Sequence, residues 1–460
     1  MKKLLTIVSV LIVMSMVLAA CAQPTAAPTE APTTAAPTEA PTVATTEAPT
    51  AAPAGLTCAS PVKVGLITDL SGALASYGEM IVRSFMLGME YAAGAPGSAG
   101  DVFDFKTAQE NTFKIDNCEI QVFVRDDAST PDTTTTVANE LIDVEKVNIL
   151  VGTVSSAATA TLQGIALQNK IPLIVAPAAA NDITGVNFNE YTFRTSRNNY
   201  QDAMNECLAL TKNYTKFIQI APDYAFGQGS AAAFRDACTL DGGTFVADDI
   251  FAPLTTTDFT PYMEQIAKSG AEAYIVTWAG SGFVALMKAA NDQGVTGKIA
   301  LGTTFVNNAV MPALYSNYIG TTAGIIYAYK APKNEINDFL VAQEQARYKV
   351  VPDLFDADGM NAALMIAATL KKTNGDVTSD VLVKAMEGLT FSGPKGDVFI
   401  RPEDHDAIQD MYILTLNNLT DPNADFYTYV DTTRPEPPCL LPENLKDRCG
   451  SLPYGTLTGK

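Results

Sequence analysis

The sequence has one histidine, one tryptophan and little charge: 17% of its 460 residues are Asp, Glu, Lys or Arg. A lone His405 makes histidine-ligated zinc sites and most histidine-based catalysis poor readings. Basic residues are the scarcer sign, 30 Lys+Arg against 50 Asp+Glu, for a formal net charge of −20. No Lys/Arg cluster is present, so a nucleic-acid partner is not expected. C-x-x-C, G-x-S-x-G, P-loop and H-E-x-x-H motifs are absent, which removes zinc ribbons, thioredoxin-like sites and several hydrolase classes. The DADG run at 356–359 cannot be a calcium loop, because Leu354 and Met365 would occupy carboxylate positions. Apolar residues, by contrast, are plentiful at 47%, and the length allows two cored lobes.

The N-terminus reads as an export signal over residues 1–20. Lys2 and Lys3 precede an apolar stretch from Leu4 to Ala20, too short for a membrane span. Leu18-Ala19-Ala20-Cys21 resembles a bacterial lipobox, which implies cleavage before Cys21 and its lipidation. Acyl chains would then anchor the chain, each buried CH₂ contributing about 0.8 kcal/mol. No later run of 18 apolar residues follows. Residues 21–56 are rich in Pro, Thr and Ala, with TEAPT at 29–33, 38–42 and 46–50. That composition buries nothing and favours an extended tether.

Beyond Cys21, six cysteines remain: Cys58, Cys118, Cys207, Cys238, Cys439 and Cys449. An even number in an exported chain suggests disulfides. Cys58 and Cys118 each precede an expected strand, Cys207 and Cys238 lie on successive helices, and Cys439 and Cys449 close a short loop. The layout favours those three pairs.

From Pro61 the chain alternates β-branched runs with helical stretches. Strands are expected at 62–68, 120–127, 147–152 and 171–177, with helices at 78–93, 133–144 and 157–168. After a pause at 178–192 a second series begins. It has strands at 216–222, 244–251, 273–279 and 298–304, and helices at 228–238, 261–269 and 282–292. Helices near 335–349, 358–372 and 379–387 follow, then strands at 398–400 and 411–416. Such alternation predicts α/β architecture with doubly wound, mostly parallel sheets in two lobes. Ligands bind at the carboxyl ends of such strands, here across a cleft.

The motifs resemble a known family. Residues 62–78, VKVGLITDLSGALASYG, are similar to the opening of ABC-transporter binding proteins of the branched-chain amino acid type, which have the type I periplasmic-binding fold. RDDAST (125–130), ELIDVEKVNILVGTVSS (140–156), YTFRTS (191–196), DYAFGQG (223–229), TDFTPYMEQI (257–266) and GPKGDVFIRPEDHDAIQDMY (393–412) follow in the family's order. The resemblance implies a two-lobed Venus flytrap. Lobe I is expected at 57–192 plus 327–403, lobe II at 193–326 plus 404–430, and a cysteine-containing tail at 431–460. It implies an extracytoplasmic, lipid-anchored monomer that captures a small organic ligand by hinge closure and delivers it to ABC permease subunits. No enzymatic activity, cofactor or metal is expected. The alternative is a ligand sensor docking on a receptor.

The candidate ligand site follows from both arguments. Ser155 and Ser156 open a helix after an expected strand, and a helix N-terminus offers N–H groups and positive potential to a carboxylate. The resemblance assigns the ligand carboxylate to Ser156. Three positions depart from the amino-acid-binding pattern: Ala178-Ala179 replaces an Ala-Thr step, Phe226 replaces a Tyr, and Thr256 replaces the acid that pairs with an ammonium. A buried ammonium needs an anionic partner or strong acceptors. An aliphatic or aromatic carboxylate, or an amide, therefore fits better than an α-amino acid, unless Asp182, Asp223 or Asp258 substitutes for the acid. Tyr77, Phe226 and Phe355 align with ligand-facing aromatics, and Trp278 is expected on the cleft rim. Arg194 and Arg197 are expected to fix the crossing between lobes, and His405 to sit in a structural turn.

Overall fold

Strand β1 (Val62–Thr68) shows how the first half is built. Every residue except Lys63 is buried, as a central parallel strand requires. Its Val62, Val64 and Leu66 enter a core shared with helices Ala75–Ala93 and Asp356–Lys372. Its Ile67 enters a second core with Ala138 and Leu162, on helices Pro131–Glu140 and Ser156–Asn169. The sheet is therefore covered on both faces. With β2 (Gln109–Ile115), β3 (Cys118–Asp126), β4 (Ile149–Val151), β5 (Leu173–Val175) and β6 (Thr192–Arg194) it runs in the order β2-β3-β1-β4-β5-β6. Only β2 is antiparallel. This computed structural model describes residues 55–100, 104–280, 282–303 and 307–459. The expected signal, the Cys21 lipid site and most of the tether lie outside those residues.

The second series forms another sheet from β7 (Lys216–Pro222), β8 (Thr244–Phe245), β9 (Ile250–Ala252), β10 (Ala273–Val276) and β11 (Ala300–Gly302). The order is β11-β10-β7-β8, with β9 also on β7, and all pairings are parallel. The strand expected at 244–251 is thus two short strands laid along one edge of β7. The break has a cause: Asp249 turns its carboxylate to Gln219 at 2.6 Å and Arg235 at 2.5 Å. Two antiparallel three-stranded sheets complete the fold. One joins β12 (Thr322–Ile325) to β16 (Met411–Leu416) and β17 (Tyr427–Thr433), and the other joins β13 (Thr390–Gly393), β14 (Gly396–Ile400) and β15 (Ala407–Ile408).

Other boundaries shift slightly. The helix expected to Val144 ends at Glu140, and a π-type turn over Leu141–Glu145 closes on Lys146 at φ 60°. The strand expected over 298–304 shortens to β11. Strand β2 was not expected, since QENTFKI is largely polar and lies at the sheet edge. The three expected disulfides are present: Cys58–Cys118, Cys207–Cys238 and Cys439–Cys449. Among the described residues, no helix is long and apolar enough to cross a membrane.

Candidate functional site

The loop after β1 brings the first wall of the site. The buried Asp69 carboxylate accepts from the backbone N–H of Ser71 (3.1 Å), Gly72 (2.5 Å) and Leu74 (2.8 Å), and from the Ser129 hydroxyl (2.7 Å). That loop starts helix Ala75–Ala93 so close to Asp69 that a Cβ at Gly78 would fall 1.7 Å from its carbonyl oxygen. Leu74 and Tyr77 are thereby fixed. Burial raises the Tyr77 hydroxyl above its ordinary range, so it stays protonated. Its ring meets the Phe355 ring edge-on at 5.0 Å.

The second wall comes from the ends of β4 and β5. Ser155 caps helix Ser156–Asn169, accepting from the Ala158 N–H at 3.5 Å. Ser156 accepts from the Ala180 N–H at 3.2 Å, latching the loop after β5 onto the helix start. That loop carries Pro177, Ala178 and Ala179. The Arg197 guanidinium donates to the Pro177 carbonyl (2.7 Å), pairs with Asp202 (3.1 Å) and lies over the Phe355 ring, 5.2 Å from its centroid. The third wall belongs to the second sheet. Phe226 enters with helix Ala225–Leu240, where a Cβ at Gly227 would fall 1.9 Å from the Pro222 carbonyl oxygen. Tyr224 lies beside it, ring centroids 5.9 Å apart, and burial raises its hydroxyl too.

These walls enclose a cavity of ≈ 30 Å³ lined by Leu74, Tyr77, Val154, Ser156, Pro177, Ala178, Ala179, Arg197, Tyr224, Phe226, Ala279 and Phe355. The two sheets close on it directly: a Cβ at Gly280, just after β10, would fall 2.9 Å from the Ala73 carbonyl oxygen. Six expected site residues meet here: Tyr77, Ser156, Ala178, Ala179, Phe226 and Phe355. Three do not line it. Ser155 is spent on its cap, and Thr256 lies half-buried in the loop before helix Thr260–Lys268. Trp278 is not on the rim: it is 1% exposed, with its ring edge-on to Phe259 at 4.8 Å in the core of the second sheet. Residue alternation past β10 turns Trp278 inward and leaves Ala279 at the cavity. The substitute acids also lie elsewhere. Asp223 accepts from the Gln228 side chain, Asp258 accepts from the Thr260 N–H, and Asp182 does not line the cavity.

Arg197 and Tyr224 are functional candidates that sequence reasoning missed. Tyr224 sits two residues before Phe226 within a quoted motif, which was the available signal. Arg197 was expected only at the crossing, but it also brings the one charged side chain in the lining among the described residues. A much larger opening, ≈ 860 Å³, lies along helix Glu335–Gln343 and the 422–424 turn. It is a surface groove. The small cavity is the stronger site because aromatic and polar groups from both sheets converge at strand ends there.

Comparison with known proteins identifies the family and the fold. A periplasmic binding protein family model matches residues 61–421. The Leu/Ile/Val-binding protein homolog 6 of Brucella melitensis is 27% identical over 373 residues, 78% of this chain and 88% of the relative. An ABC-type branched-chain amino acid transporter protein from Rhodopseudomonas palustris CGA009 is 32% identical, with a TM-score of 0.67 over 81% of this chain and 96% of that one. An ABC-transporter solute binding protein from R. palustris BisB5, solved with 3,4-dihydroxybenzoic acid, is 25% identical, with a TM-score of 0.68 over 81% and 97%. The architecture is the type I periplasmic-binding fold. With well over half of its length matched by the family model, the chain belongs to the periplasmic binding protein family.

Proposed function

We propose that the protein is the solute-binding component of an ABC importer, and that its ligand is a small aromatic carboxylate. One observation carries the ligand class: among the described residues, the cavity lining holds one cation, Arg197, four aromatic rings and no side-chain acid. An α-ammonium would enter without an anionic partner, at a cost of several kcal/mol on burial. A carboxylate would meet the Arg197 guanidinium and the N-terminus of helix Ser156–Asn169. Hydrogen bonds of that charged kind contribute about 1.5–3 kcal/mol each. Tyr77, Tyr224, Phe226 and Phe355 would pack on an aromatic ring in edge or offset contacts. The relative solved with 3,4-dihydroxybenzoic acid supports the same class.

A cavity of ≈ 30 Å³ has room for about one or two waters, so ligand entry requires the walls to part. Hinge motion between a lobe I at 57–192 plus 327–403 and a lobe II at 193–326 plus 404–430 would open it. The closed surface would then be what the permease reads, with Cys21 lipidation keeping the protein at the membrane.

The test is mass spectrometry of small molecules released by denaturing the purified protein, followed by thermal shifts. Benzoate or 4-hydroxybenzoate at 100 times its Kd should add about 2.7 kcal/mol of stability. Shifts by leucine, isoleucine or valine but not by the benzoates would overturn the ligand class.

A further inference from the structure

Residues 434–459 lie beyond the matched family segment, yet they are fastened to both halves of the fold. At one end, Arg448 donates to the carbonyls of Pro402 (2.7 Å) and Glu403 (2.9 Å) and to Glu387 (3.2 Å), and lies 4.9 Å from the Phe188 ring centroid. Glu387 also holds His405 at 3.1 Å, and His405 stacks on Phe193 of β6 at 4.0 Å. This end therefore grips the first sheet. At the other end, the Leu457 N–H donates to Asp236 at 2.7 Å. Asp236 is on helix Ala225–Leu240, the helix whose first turn carries Phe226 into the cavity. Leu440 and Leu457 pack on the core of Phe217, Phe234 and Tyr200, which belongs to the second sheet.

Between its ends the segment is a single unit. The Cys439–Cys449 disulfide closes it, Gly455 N–H donates to the Cys439 carbonyl (2.9 Å), and Tyr454 hydroxyl donates to the Leu441 carbonyl (2.9 Å). A short cross-linked segment cannot lengthen much. Separation of the two sheets must therefore detach one end or the other.

We propose that residues 434–459 are a strap that holds the two sheets in the arrangement closing the aromatic cavity, and so tunes ligand affinity. The tuning rests on the reading of that cavity as the ligand site; the strapping does not. Apparent affinity scales with the fraction of molecules in the competent state, and the strapped arrangement, with its ≈ 30 Å³ cavity, has no room for a benzoate, so releasing the strap strengthens binding without touching the ligand.

Arg448→Ala frees one end, and Leu457→Pro removes the N–H donor at the other. Contacts of Arg434 with the Asp397 and Ile408 carbonyls, of Phe188 with the Cys439–Cys449 core and of Leu440 with the second sheet remain, so each substitution loosens the strap without releasing all of it. Each full-length variant should bind benzoate about 5- to 10-fold more tightly by calorimetry, and the double variant at least as tightly as either. The radius of gyration without benzoate, from X-ray scattering, should rise in all three. Unchanged or weaker binding together with an unchanged radius in all three would overturn the strap. If the unmodified chain binds neither benzoate nor any other ligand of the panel, the ligand reading fails, and the scattering alone decides the strap. Should Arg448→Ala not fold, Arg448→Lys keeps the charge, loses the fork and takes its place.

Discussion

At the crossing between the sheets, buried charges are tied into a network. Asp406 takes Arg194 at 3.2 Å, the Thr184 hydroxyl at 2.7 Å and the Asn198 amide at 2.9 Å, while Arg401 forks onto Asp404 at 2.8 and 2.6 Å. The adjoining cavity is built the other way, from aromatic rings, alanines and one guanidinium. Arg197 belongs to both regions, paired with Asp202 on one side and lying on Phe355 on the other. The difference teaches a division of labour. A satisfied polar network admits one geometry, because any shift strands a buried charge. An aromatic wall loses little on small displacements, so it can part and close around a ligand.

Three measurements test that division. The largest effect should come from Asp406→Ala, which leaves Arg194, Thr184 and Asn198 short of a partner. Removing one member of a buried pair costs about 3–5 kcal/mol, read by urea denaturation. A loss below about 1 kcal/mol would break the comparison. Next, Arg197→Gln should weaken benzoate binding by about 1.5–3 kcal/mol, roughly 10- to 100-fold, and neutral benzamide much less. Equal losses for both ligands would move Arg197 wholly to the crossing.

The smallest effect concerns pH. The hydrogen bond from His405, and then Arg448, lowers the Glu387 carboxyl to about 2. Its folded value lies below the unfolded value of about 4.3, so its contribution is present above that pH and is lost as pH falls toward 2. Glu387 is partly exposed, so the change is modest. Glu387→Gln should flatten the acid limb of the stability curve. An unchanged limb would remove Glu387 from the grip on the strap.

Much of the fold was legible because burial writes itself into composition. β1 reads as VKVGLIT since a strand covered on both faces must be apolar throughout. Ser155 and Ser156 were visible as a helix start through capping chemistry, and Phe226 through its place before Gly227. Other features were hidden for definite reasons. The break between β8 and β9 depends on Asp249 finding Gln219 and Arg235, far off in sequence or a helix away. Trp278 could be placed at a strand end, but which way its ring points is set by the packing of Phe259. The tail reads as a polar, cysteine-closed loop, and its grip on both sheets comes from contacts such as those of Arg448 and Leu457 with residues far off in sequence.

The sequence by itself determined the alternation of strands and helices, the cysteine pairing and most of the aromatic lining. The alternation and the pairing follow from local periodicity and residue type, and the lining from the motifs' resemblance to the family. Only the tertiary structure decided that Arg197 reaches the cavity, that Trp278 does not, and that the tail joins the two sheets. Those outcomes depend on contacts between residues distant in sequence, whose hydrogen bonds and packing are satisfied only once both sheets are assembled.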